Sequence, residues 1–226
     1  VFFSFLKSCG ATFALAGHLF RDYVRLVRGV WKLSKLPRPV VTVFGGSKIE
    51  QKHRYAQQAN ELGKLLMENG ISVITGGGPG IMKAANCGAF KDSNANENGP
   101  KSVGIGVRDL PQEDSNECSN EFIVTKYFFA RKWLLTRYAD AFAVFPGGFG
   151  TLDELFQIAT LMQTGKLKRV PIVLIDKGHW QPLLTWLEKP AKEGLILEKD
   201  KDIFFVTDDI QEAFKHLYAE SKQGHQ

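Results

Sequence analysis

The chain has 226 residues, 44% of them hydrophobic and 12% aromatic, which is enough apolar side chain for one sizeable core and too much for a disordered chain. Its formal net charge of +5 is a mild basic excess that fits an anionic small ligand or a modest nucleic-acid patch without choosing between them, and it lacks the Lys/Arg blocks of a nucleic-acid-binding arm. Cys9, Cys87 and Cys118 are widely spaced, with no CxxC or Cys/His cluster, which suggests neither a zinc site nor a disulfide framework and favours a reducing, cytoplasmic setting.

Residues 1–20 are apolar but interrupted by Lys7 and His18, too broken a run for a membrane-spanning helix. Beyond them Arg21, Arg25, Arg28, Lys32 and Lys35 recur at helical spacing, with Tyr23, Val24, Val27, Val30 and Trp31 largely between. This pattern is expected to form a leading helix packed on the core or on a partner subunit; a membrane-surface role is the less favoured reading. Residues 1–38 are thus read as an N-terminal helical segment and residues 39–226 as one domain.

From Pro39 the chain repeats an apolar run, a glycine loop and an amphipathic helix. Val40–Phe44 (VVTVF) reads as a strand, Arg54–Glu68 as a helix stopped by Gly70, and Ile71–Thr75 as a second strand. A helix near Ile81–Phe90 follows, with Cys87 as a small apolar filler; Lys91–Lys101 is a polar loop and Ser102–Gly106 a third strand. After a second polar loop (Arg108–Asn120) come a strand at Phe122–Thr125 and a helix at Lys126–Tyr138. Strands at Asp140–Phe145, Val170–Ile175 and Ile203–Val206 alternate with helices at Thr151–Gln163, Trp180–Lys192 and Ile210–Tyr218. Runs such as VVTVF, AFAVF and PIVLI are apolar throughout, as in strands buried on both faces. The expectation is a doubly wound α/β fold, a mostly parallel sheet with helices on both faces.

In such a sheet ligands bind beyond the carboxyl ends of the strands. Three glycine loops lie there: Gly45-Gly46-Ser47, Gly76-Gly77-Gly78-Pro79-Gly80 and Gly147-Gly148-Phe149-Gly150-Thr151. Glycines let backbone approach an anion, and the free N–H groups of a helix start favour negative charge. Neither a GxGxxG dinucleotide fingerprint nor a Walker loop is present. Glu154, three residues after Thr151, reads in two ways: as the back half of a Thr-x-x-Glu capping box, or as a chemical carboxylate beside a phosphate loop. Arg131 and Lys132 interrupt an apolar helix (FFARKWLL), either as a snorkelling pair or as cations aimed at a ligand.

These segments together resemble the LOG (Lonely guy) family, once labelled lysine decarboxylases. PGGFGTLDE (Pro146–Glu154) is similar to its PGGxGTxxE signature, GGGPGIM with AAN (Gly76–Met82 and Ala84–Asn86) to its second glycine motif, ARK (Ala130–Lys132) to its Arg-Lys pair, and FGGS (Phe44–Ser47) to its first loop. The resemblance implies cleavage of a purine nucleoside 5′-monophosphate into free base and ribose 5-phosphate, with Arg131 and Glu154 as the catalytic pair. It implies a phosphate site at Gly147, Gly148, Gly150 and Thr151, with Gly46, Ser47, Gly76, Gly77, Gly78, Gly80 and Lys132 around the nucleotide. No metal or organic cofactor is called for, and a homodimer or higher homo-oligomer is implied. A decarboxylase would need pyridoxal phosphate on a Schiff-base lysine, and no lysine here has a supporting context. A molybdenum-cofactor carrier of the same fold is the alternative, and it needs no hydrolytic pair. The chain departs from many cytokinin-activating members in its shorter GGGPGIM loop and in Phe129, where they often carry His. Lys83 stands where related short-loop sequences often have Glu. These departures leave the base preference open.

Overall fold

The computed structural model describes residue 20 and residues 22–90, 98–108 and 116–223. The apolar run at residues 1–19, Arg21, most of the first polar loop and residues 109–115 of the second lie outside the described residues. A helix at residues 22–34 (α1) leads into β1 (Val40–Phe44), α2 (Arg54–Glu68), β2 (Ser72–Thr75), α3 (Ile81–Ala89), β3 (Ser102–Val107), β4 (Glu121–Thr125) and α4 (Phe128–Arg137). Then follow β5 (Ala141–Val144), α5 (Phe149–Gln163), β6 (Ile172–Ile175), α6 (Lys177–Lys192), α7 (Glu198–Lys201), β7 (Phe204–Thr207) and α8 (Ile210–Gln223). The sequence reading lacked the four-residue α7 and started α5 and α6 two and three residues late.

The strands form a single sheet in the order β4-β3-β2-β1-β5-β6-β7, and every pairing is parallel. The chain winds outward from β1 to β4, then returns to the other side of β1 to continue with β5. Loops leaving β1 and β5 therefore diverge, which opens a crevice between them. Alternation within β1 shows how both faces are filled: Val41 and Val43 join a core with α2, α3 and α8, while Val40 and Phe44 join a second core with α1, α4, α5 and α6. Thr42, fully buried, donates its hydroxyl hydrogen to the Leu135 carbonyl at 2.9 Å.

Helices α2 and α3 touch backbone to backbone. A Cβ on Gly88 would stand 1.9 Å from the Asn60 oxygen, and one on Gly63 2.2 Å from the Ala85 oxygen. Neither neighbour is a flexible side-chain tip, so the helices must separate to admit a methyl group. Gly88→Ala is expected to cost about 1–3 kcal/mol, read as a melting temperature several degrees lower by circular dichroism.

The cysteine reading needs correction. Cys87, on the last turn of α3, is not an apolar filler but is disulfide-bonded to Cys118, with Cα atoms 4.7 Å apart. The partners are separated by 31 residues in sequence, and only the parallel pairing of β3 beside β2 brings the segment before β4 over the end of α3.

Candidate active site

The crevice between β1 and β5 is a cleft of ≈ 650 Å³. Its floor is the carboxyl end of β1 and the loops after it and after β5; its walls come from α4, α5 and the starts of α2 and α6. Gly46, Ser47, Gly76, Arg131, Lys132, Gly147, Gly148, Gly150, Thr151 and Glu154 all line it.

Helix α5 begins at Phe149, with Gly148 as N-cap and no side chain capping its first turn. Those N–H groups open into the cleft and carry the positive end of a 15-residue helix. Cβ atoms at Gly148 and Gly150 would meet nothing within 4 Å, so backbone faces open space there. Gly147 is different: a Cβ on it would lie 2.1 Å from the Thr151 hydroxyl oxygen and 2.9 Å from the Gly46 nitrogen, so it is a packing glycine.

Because α5 starts at Phe149, Thr151 is its third residue and the Thr-x-x-Glu capping box does not form. Glu154 instead sits one turn in, facing the cleft, with Oε2 buried and without a hydrogen-bond partner among the described residues. Burial pushes its carboxyl from 4.5 up to about 7; Lys132 and Arg131 pull it down, and Asp153 adds to the rise. Lys132 also forms an ion pair with Asp153. The snorkelling reading of Arg131 fails as well. Its Nε donates to the Ile105 carbonyl at 2.9 Å and an Nη to the Gly76 carbonyl at 3.0 Å, which fixes the guanidinium across the ends of β3 and β2.

The second glycine loop contributes less to the cleft than its composition suggests. Gly77, Gly78 and Gly80 do not line it. Gly77 (φ 73°) packs under the Phe122 ring, and a Cβ on Gly80 (φ 68°) would lie 2.2 Å from the Gly46 oxygen. The first N–H of α3, on Ile81, donates to that same Gly46 oxygen at 3.1 Å, so this helix start is already used inside the protein. Gly46 in turn donates its N–H to the Pro146 carbonyl at 3.0 Å, which ties the first loop to the third. A buried polar network holds the second loop from behind. Thr75 bonds Asn86, whose amide donates to the Ser102 hydroxyl at 2.8 Å, and Asn116 donates to Asn86 at 2.9 Å.

Sequence reasoning missed one wall of the cleft, made by Lys48, Ile49, Tyr55 and His179, together with Met82 and Phe128. Tyr55 donates its hydroxyl hydrogen to Asp176 at 2.6 Å, and Asp176 also pairs with Arg54 and accepts from the His179 N–H at 2.8 Å. Burial acts to raise the Asp176 carboxyl, but these donors outweigh it and hold the group below the usual range. Asp176 takes the left-handed φ of 82°, a strained conformation for a residue with a Cβ, at the start of α6. No local sequence signal joins residues this far apart.

Residues 82–217 match the family profile described as "Possible lysine decarboxylase". The chain is 33% identical over 165 residues to the cytokinin riboside 5′-monophosphate phosphoribohydrolase LOG of Oryza sativa subsp. japonica, covering 72% of this chain and 66% of that protein. It is 33% identical over 180 residues to a cytokinin riboside 5′-monophosphate phosphoribohydrolase of Arabidopsis thaliana, covering 78% and 80% of the two chains. Among solved structures, the molybdenum cofactor binding protein of the phototrophic bacterium Rippkaea orientalis superimposes with a TM-score of 0.58 at 19% identity, over 80% of this chain and 96% of that one. The molybdenum cofactor carrier protein of Chlamydomonas reinhardtii gives 0.57 at 23% identity, over 80% and 99%. At such identities these two structures share the fold alone. The profile match spans more than half the chain and includes Arg131, Lys132, the third glycine loop and Glu154: this protein belongs to the LOG family.

Proposed function

We propose that the protein hydrolyses the N-glycosidic bond of a purine nucleoside 5′-monophosphate, releasing the free base and ribose 5-phosphate. The observation that carries this reading is Glu154, a buried carboxylate oxygen without a hydrogen-bond partner among the described residues, beside an uncapped helix start suited to phosphate. A protein that only carries an anion gains nothing from an unpaired carboxylate at that place, since like charges repel. The names of the rice and Arabidopsis relatives support a riboside 5′-monophosphate as the substrate class.

The phosphate would lie on the N–H groups of Gly148, Phe149 and Gly150 with the Thr151 hydroxyl beside it. As the glycosidic bond breaks, its electron pair leaves with the base and positive charge develops on the sugar. Glu154 offsets that charge and takes a proton from the attacking water, Arg131 stabilises the negative charge growing on the base, and transfer of that proton to the base completes the free base and resets the carboxylate. Phe128 and Phe149 line the cleft yet are 53% and 94% exposed. A second copy of the chain covering them would bury that apolar surface and narrow the cleft mouth, so the working form is a homodimer or higher homo-oligomer.

The test is a panel of AMP, an N6-modified AMP and adenosine, scored by chromatography for free base and ribose 5-phosphate. A nucleotide is expected to be cleaved and adenosine not; equal turnover of adenosine and AMP overturns the phosphate anchor. In the same assay Thr151→Ala is expected to raise KM by about tenfold with a smaller change in kcat, because a hydroxyl that grips phosphate serves ground and transition states alike.

A further inference from the structure

Helix α1 has two apolar sides, and among the described residues only one is packed into the fold. The inner side meets the core as the sequence pattern requires: Leu33 is buried, Leu26 and Val30 pack on the same cluster, and Gly29 lets the helix close on Ile123 and Leu134. On the outer side stand Phe20, Tyr23, Val27 and Trp31, spaced three, four and four residues apart and 67%, 64%, 46% and 58% exposed. Single exposed apolar residues are ordinary, but an aligned aromatic stripe over three turns is not.

The charges beside this stripe are of one sign. Arg28 and Lys35 are exposed, and the Lys35 ammonium lies 3.5 Å over the Trp31 ring. Asp22 is the only acidic residue between positions 20 and 35, and its carboxylate is turned inward, paired with Arg25 at 2.9 Å and with Lys126 at 3.7 Å. Lys32 is spent on Glu121. Among the described residues the outer face thus presents aromatics and cations without a carboxylate. The sequence immediately before it, residues 1–19, is largely apolar and also contains no Asp or Glu.

We propose that the outer face of α1 docks the protein on an anionic lipid bilayer, with Phe20, Tyr23, Val27 and Trp31 at the level of the headgroups and Arg28 and Lys35 against lipid phosphates. Trp and Tyr favour that interface because each has an apolar body and a polar tip. A helix lying in the membrane plane needs both burial and charge attraction for stable binding, and this face offers both. A second copy of the chain fits less well: an isologous contact would set Arg28 and Lys35 against their own counterparts, or close to them, with no acid to separate them. The inference stands apart from the cleft and does not depend on the proposed hydrolysis.

The experiment is flotation of the full chain with vesicles of phosphatidylcholine alone and of phosphatidylcholine mixed with phosphatidylserine, at low and high salt. The wild type is expected to float with the mixed vesicles and to be released by salt. Tyr23→Ser/Trp31→Ser and Arg28→Gln/Lys35→Gln are each expected to lower partitioning roughly tenfold or more. The altered side chains point away from the core, and circular dichroism checks the fold; if the serine pair unfolds the chain, the glutamine pair decides alone. Failure of the wild type to bind overturns the proposal. So does wild-type-like binding by the folded variants, which would assign the anchoring to residues 1–19. A fall in sedimentation mass for Tyr23→Ser/Trp31→Ser would overturn it too, by making this face a subunit contact.

Discussion

Glu154→Gln is expected to cut turnover by roughly a hundredfold or more while the protein stays folded. Glutamine keeps the volume and can still sit on the second turn of α5, but it can neither offset positive charge on the sugar nor accept a proton from water. Were Glu154 a capping residue, glutamine would serve nearly as well, and the structure already removes that role by starting α5 at Phe149. Nucleotide binding should survive or tighten in the mutant, because a negative charge near the phosphate has gone. In the wild type, kcat/KM should rise with pH and level off above about 7, since the ionised form does the chemistry and burial holds the group at about 7. Calorimetry, turnover and a melting curve on one preparation check all of this. A folded mutant with near-wild-type turnover would favour a carrier.

The second large effect is expected from two substitutions that reach the same side chain from opposite directions. Arg131→Lys removes a planar fork that bonds two carbonyls at once, on Ile105 and Gly76, and one ammonium cannot reproduce that geometry. Turnover should fall about a hundredfold. Gly76→Ala leaves Arg131 in the sequence but places a Cβ 2.1 Å from its Nη2. The clashes, with this guanidinium and with the Met82 sulfur at 2.7 Å, are with the ends of flexible side chains, so the backbone can stay and the guanidinium must leave. The expected result is a melting temperature close to wild type with an activity loss approaching that of Arg131→Lys. Gly76→Ala with wild-type turnover would show that the guanidinium need not rest on the Gly76 carbonyl.

The central strands were legible because β1, β2 and β5 are short apolar runs closed by glycine or proline, and continuous rather than alternating hydrophobicity announced burial on both faces. Arg131 and Glu154 were legible as charges set in apolar or glycine-rich surroundings, and the family resemblance assigned both to one site. What the sequence concealed depends on distance along the chain. Tyr55 and Asp176 lie 121 residues apart, and Cys87 and Cys118 bond only because neighbouring strands align their loops. Composition also misled at Gly77 and Gly80: a glycine run suited to holding phosphate is equally suited to close packing, and there Gly77 lies under the Phe122 ring while Gly80 touches the first loop. At Thr151 the same Thr-x-x-Glu spacing is compatible with two helix starts, and only the backbone of Gly148 decides between them.

The half-buried carboxyl of Glu154 also ties folding to proton uptake. Its ordinary value is 4.5 and its folded value about 7, so between those pH values the folded chain holds a proton that the unfolded chain has released. The stabilisation from this group is therefore complete below about 4.5 and is lost as the pH rises through 7. In the alkaline range where Glu154 is ready to accept a proton, the native state bears the full cost of keeping a charge on a partly desolvated group. Catalytic readiness and conformational stability thus run in opposite directions along the pH axis, and they pivot on one side chain.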